Sequence, residues 1–142
     1  MGGLKIEVGD ILYTLRGSTI GKNAMVTKVN GTIASSLMGI RVNNTLATYN
    51  YLIFWLHSIC EYIQRDICIN GSTAPNLSAE NVKEFFIFLP SLKEQQAIAD
   101  YLDNKCGEID ALISIKQQKI ESLKEYKKSI IYEYVTGKKE VV

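Results

Sequence analysis

From Ser91 to Val135 the chain holds no proline and a single glycine, Gly107, and its apolar residues recur at alternating spacings of three and four. With Ile113 as an a position of a heptad, the a set is Ala99, Cys106, Ile113, Ile120, Lys127 and Tyr134. The d set is Leu102, Ile109, Lys116, Leu123 and Ile130. Eight of these eleven are apolar, nine with Tyr134, so the pattern predicts a helix with a coiled-coil seam. The two lysines weaken the seam and fix its register. A helix over about 91–135 is roughly 65 Å long at ~1.5 Å per residue. The 90 residues that precede it cannot cover such a seam alone, so it requires another helix, from the same complex or from a second copy. Gly107 marks a point where the helix can kink or divide. Gly137 is a natural C-cap, with Lys138 and Lys139 near the negative end of the helix dipole.

Pro90 divides the chain. Residues 1–90 carry most of the glycines, β-branched runs and aromatics. Residues 4–8 and 10–15 are apolar-rich stretches split by Gly9-Asp10, a turn signal. Residues 24–29 and 32–42 are strand-like and separated by Asn30-Gly31, the strongest short hairpin signal in the chain. From Thr45 to Asp66 the period changes, with Leu52, Leu56, Ile59 and Ile63 at helical spacing. Ser78 has the character of an N-cap for a short helix over 79–84. Phe85–Leu89 reads as a short apolar strand, and Gly71-Ser72-Thr73 as a loop. The expected fold class is α+β: a small mixed domain of short strands plus a helix, followed by a long coiled-coil-type helix.

Composition narrows the function. The chain has 142 residues, 46% hydrophobic and 22% charged, with formal net charge +1. That suits one globular domain with a core and excludes wholesale disorder. The near-zero charge argues against holding nucleic acid by bulk electrostatics alone. The most apolar run, Leu46–Ile63, is interrupted by Asn50, His57, Ser58 and Glu61, which argues against a membrane span. No signal peptide is visible, and the three cysteines lack CxxC spacing. Free thiols and a cytoplasmic location are expected.

Motifs for catalysis are weak. Gly17-Ser18-Thr19-Ile20-Gly21-Lys22-Asn23 superficially resembles a phosphate loop, but only three residues separate its glycines and Asn23 stands where Ser or Thr would ligate the metal. A tight turn with Lys22 facing a phosphate is the competing reading. His57 is the only histidine. A Cys-His dyad with Cys60 would need an orienting acid, which no recognisable spacing supplies. Asp103-Asn104-Lys105 and Glu125-Tyr126-Lys127 have the acid-x-Lys spacing of some nucleases, but on a helix i and i+2 face apart. No catalytic, metal or cofactor residues are therefore assigned. Binding remains. The polar, loop-placed candidates for DNA contact are Lys22, Asn23, Lys28, Arg41, Asn43, Ser72 and Thr73, with Lys22, Lys28 and Arg41 the best phosphate candidates. The candidate helix–helix interface is Leu102, Ile109, Ile113, Ile120, Leu123 and Ile130.

These motifs line up with a family. Residues 89–103, LPSLKEQQAIADYLD, resemble the segment that closes a recognition domain in the specificity subunits of type I restriction-modification enzymes. So do Glu108–Ile113, Leu123–Ile131 and Val135–Lys138. Upstream, residues 9–12, 17–22, 71–73 and 76–78 resemble the second half of such a domain. The resemblance covers nearly the whole chain. It implies a non-catalytic subunit without cofactors that gives DNA sequence specificity to methyltransferase and restriction subunits. A complete subunit of this kind resembles two recognition domains joined by two antiparallel helices. By that measure residues 1–90 are the distal part of a target-recognition domain and 91–142 a helical region with heptads. Two copies pairing through the helix is the leading expectation. The competing one is an interaction or decoy fragment that pairs with methyltransferase or full-length specificity subunits without reading DNA.

Overall fold

The computed structural model describes residues 5–29, 33–69 and 76–141. Asn30 and Gly31 of the expected hairpin, and Ser72 and Thr73, lie outside them. The described residues form β1 (Ile11–Thr14), β2 (Asn23–Met25), β3 (Leu37–Ile40), α1 (Tyr49–Leu56), α2 (Ile59–Ile69), α3 (Ala79–Lys83) and α4 (Leu92–Val135). The fold is α+β, as expected. It divides into two compact units, Met1–Asp100 and Tyr101–Val142.

In the first unit β1 is the central strand of an antiparallel sheet ordered β2-β1-β3. Leu12 pairs with Ala24 on one side and Gly39 on the other. Alternation then dictates the core. Ile11, Tyr13 and Leu15 point to one face of the strand and are buried together with Leu56 and Leu77. Met38, Ile40, Leu52, Trp55, Val82 and Phe85 pack around them.

Four local expectations are corrected. The strand-like runs 24–29 and 32–42 do not pair as a hairpin, since β2 and β3 each pair with β1 instead. Residues 5–8 form no strand. Gly9, at φ +96°, turns the chain so that Asp10 N–H reaches Glu7 O, and the Glu7 N–H is taken by the Asp10 carboxylate at 2.8 Å. Phe85–Leu89 is not a strand either, because side chains occupy its backbone. The Gln64 amide accepts from Phe86 N and donates to Phe86 O, at 2.6 and 3.0 Å, and Tyr51 Oη donates to Phe88 O. The helical stretch over 45–66 is two helices. The Ser58 hydroxyl takes the Cys60 N–H and restarts the chain after His57. The break rotates the second helix, so Ile59 and Ile63 are exposed and the buried residue of α2 is Glu61.

The remaining helix signals fit the structure. Ser78 and Asn81 make a reciprocal capping box for α3, which ends at Lys83 with Glu84 as C-cap. Helix α4 ends in a Schellman motif. Gly137 adopts φ +69°, its N–H bonds Tyr134 O, and Lys138 N–H bonds Glu133 O at 2.9 Å. Helix α4 runs through Gly107 without a break, and a Cβ built there meets nothing within 4 Å. Gly107→Ala should therefore stabilise the helix by up to ~1 kcal/mol, read as a higher thermal midpoint by circular dichroism.

Candidate nucleic-acid interface

The Gly17–Asn23 segment connects β1 to β2, and its shape follows from its glycines. Gly17 and Gly21 both adopt φ +86°, which few side chains tolerate. The loop closes where Gly21 N–H bonds Thr14 O and Thr14 N–H bonds Lys22 O. The result is a tight turn between strands that lifts Lys22 to the surface.

This turn forms one wall of an open cleft of about 410 Å³. Ile20, Gly21, Lys22 and Asn23 line one side; His57, Ser58, Tyr62 and Arg65 line the other. Lys22 is exposed, and Asn23 donates from Nδ2 to Gly21 O while its Oδ1 is buried without a hydrogen-bond partner. Arg65 is not among the residues that sequence spacing singles out. Its guanidinium passes directly over Gly21: a Cβ there would lie 2.5 Å from Nε.

A buried polar network anchors Arg65. Glu61, only 3% exposed, accepts from Arg65 Nε at 2.9 Å and from the Tyr13 hydroxyl. Burial pushes the Tyr13 phenol well above its ordinary value, and the hydrogen bond to Glu61 adds to that, so Tyr13 stays a donor. Arg65 also stands 5.1 Å over the Tyr62 ring. The cleft thus carries two cations, Arg65 fixed from behind and Lys22 exposed at the turn. Gly21→Ala should displace Arg65 and strain the backbone, weakening whatever binds here while leaving the far side of the sheet intact. Amide NMR spectra would show shifts confined to the turn and α2.

The other sequence candidates lie elsewhere. The Arg41 fork is bidentate on Asp10, both bonds at 2.8 Å, and its remaining nitrogen lies 3.3 Å from Glu7. Arg41 therefore fastens β3 to the Gly9 turn, with much of its charge already matched. Its hydrogen bonds draw the Asp10 carboxyl down from 3.8 to about 2, helped by the Glu7 N–H. The unfolded carboxyl binds protons more readily than the folded one. The pair's contribution is thus full above about pH 4 and fades as pH falls toward 2. The stability difference between the native chain and Arg41→Ala should shrink over that window in urea titrations. Asn43 caps its own turn, accepting from Thr45 N–H and Oγ1. Lys28 is exposed beyond β2, and neither it nor Lys22 forms a salt bridge among the described residues.

In the second unit the seam stands uncovered. Ile109, Ile113, Ile120 and Leu123 are 46–59% exposed, and Leu102 and Ile130 are half-buried. Asp103, Lys105, Glu125 and Lys127 are all exposed along α4. Among the described residues no three His, Cys, Asp or Glu side chains converge as a metal-binding group, and no helix is long and apolar enough to cross a membrane.

Comparison with known proteins gives this architecture a context. A solved chain from a study of the "Structural basis underlying complex assembly and conformational transition of the type I R-M system" superposes with TM-score 0.75 at 23% identity. The match covers 90% of this chain and 30% of that one, so the present sequence spans under a third of its length. At that identity the likeness speaks for the fold. Residues 3–125 match the family model described as the type I restriction modification DNA specificity domain. The chain belongs to that family.

Proposed function

We propose that the chain is a non-catalytic DNA-specificity component of a type I restriction-modification system in the cytoplasm. In this reading residues 1–90 are the distal part of a target-recognition domain and 91–142 its helical region. The globular unit contacts DNA, the chain docks on methyltransferase and restriction subunits, and α4 pairs with a second copy. The observation that carries the proposal is the family match over 3–125. The cleft beside β2 supports the DNA contact. Lys22 and Arg65 offer charge to a phosphate, and the unpartnered Asn23 Oδ1 is an acceptor. Lys28 extends the basic side of the turn. Arg41 and Asn43 contribute by holding the turns, and Ser72 and Thr73 by hydroxyls to the backbone.

Salt-dependent binding tests this. Affinity for duplex DNA should fall steeply between 50 and 200 mM salt, on the order of tenfold or more for a few phosphate contacts. Lys22→Ala should weaken binding to all sequences alike and lower the salt slope by about one. A changed sequence preference would make Lys22 a base reader. Absence of binding even at low salt would leave the interaction or decoy reading, which the near-neutral charge and the Asp10-matched Arg41 favour. For the helix, Ile120→Asp with Leu123→Asp should convert a dimer to a monomer in light scattering.

A further inference from the structure

His57 lines the cleft beside β2, and the reading above gives it no work. It is exposed, it is the C-cap of α1, and α2 begins two residues later. Its backbone N–H is spent on the helix, bonding Ile53 O at 3.1 Å and Phe54 O at 3.2 Å. That fixes where the side chain starts, and the ring makes no salt bridge among the described residues. The C-terminal end of α1 and the N-terminal end of α2 meet here, so their opposite dipole charges offset and side chains set the local field. Those side chains come from separate elements. Lys22 stands on the turn after β1, His57 at the break between the helices, and Glu61, Tyr62 and Arg65 on α2. Helix α1 itself holds no Asp, Glu, Lys or Arg.

The one carboxylate in this set is already engaged. Glu61 is buried and accepts from Arg65 Nε and from the Tyr13 hydroxyl of β1, and it makes no salt bridge with Lys22 or His57. Tyr62 lies against the Arg65 guanidinium. An arginine, a lysine and an imidazole around a cleft whose acid is spent suit an anion. Histidine differs from the other two because its side chain gains charge only over about pH 5–8. We infer that His57 is the third cationic contact of this cleft and takes up a proton when a DNA backbone phosphate binds there. This rests on the DNA reading above. A third positive charge beside Lys22 and Arg65 is disfavoured in the empty cleft and favoured once a phosphate sits among them, so binding is linked to a proton. The contact is to the backbone and strengthens binding to all sequences alike.

The pH profile of DNA binding tests this. At fixed salt, the full chain should bind a short duplex about tenfold more tightly at about pH 5.5 than at about pH 8. His57→Gln should bind at both as the native chain does at the higher pH. His57→Arg should bind at the higher pH nearly as the native chain does at the lower, and lose the dependence. His57 is exposed, so neither change disturbs the core. The thiols and the α-amino group titrate alike in all three proteins, so the differences among them isolate position 57. At the lower pH the losses from His57→Gln and Lys22→Ala should not simply multiply, because both side chains hold one phosphate. Losses that do multiply would overturn the shared site. A His57→Arg variant no tighter than His57→Gln at the higher pH would overturn charge as the cause. The same pH profile in the native chain and His57→Gln would overturn the role of His57 and leave the DNA reading standing. Absence of binding at both pH values would overturn the DNA reading with it.

Discussion

Gln95→Glu should cost the globular unit ~3 kcal/mol or more at pH 7. Gln95 is fully buried. Its Oε1 accepts from Thr48 N–H at 2.8 Å, while Nε2 donates to Leu46 O at 2.9 Å and to Pro90 O at 2.8 Å. One amide thereby ties the first turn of α4 to the start of α1 and to the Pro90 corner. A carboxylate of the same volume still accepts from Thr48 but turns a negative oxygen toward two carbonyl oxygens. The loss is an unpaired buried charge with no change of packing. The acid's folded pKa must rise above its ordinary ~4.3. The deficit should therefore be small below about pH 4 and grow as pH rises through the raised value. Urea unfolding followed by the fluorescence of Trp55, the only tryptophan, reads this directly. A variant as stable as the native chain at pH 7 would remove the clamp from the account.

The second large effect is at Arg65. Arg65→Met should lower stability by ~3 kcal/mol, because it takes away the cation paired with the buried Glu61 carboxylate and leaves it the Tyr13 hydroxyl as hydrogen-bond donor. The cause can be separated from lost packing. Tyr13→Phe, Glu61→Met and Arg65→Met together remove every polar member of the network, and should recover most of the loss. They also remove a cation from the cleft, so DNA affinity should stay reduced after stability returns. Equal stability of the single and triple variants would mean that the loss at Arg65 comes from packing and not from an unpaired buried carboxylate.

What could be read from sequence divides by the range of the interaction. The Ser78–Asn81 cap, the Gly137 stop and the heptads of α4 are written within one or two helical turns, so spacing alone reveals them. Gly17 and Gly21 mark a turn for the same reason. The polar contacts that tie the globular unit together are not local. Arg41 reaches a carboxylate 31 residues away, Tyr13 one 48 away, and Gln95 a backbone amide 47 away. Nothing in the spacing of a polar residue says which distant group it answers. The isoleucines of 59–67 show the limit of periodicity. Helical periodicity gives a stripe but not which stripe faces the core. Here a serine-led restart of the helix turned Glu61 inward and left Ile59, Ile63 and Ile67 outside. A charged residue between two apolar ones was the available signal, and it has value only with a cation four residues on, as Arg65 is.

The central claim is that this chain brings sequence specificity to a modification complex. Its most direct test is co-purification with the methyltransferase subunit of the same restriction locus, with the mass of the complex read by light scattering. A stable complex whose methylation of DNA depends on the chain and on Lys22 is the expected result. A chain that stays apart from the methyltransferase, as monomer or dimer, and leaves methylation unchanged would contradict it.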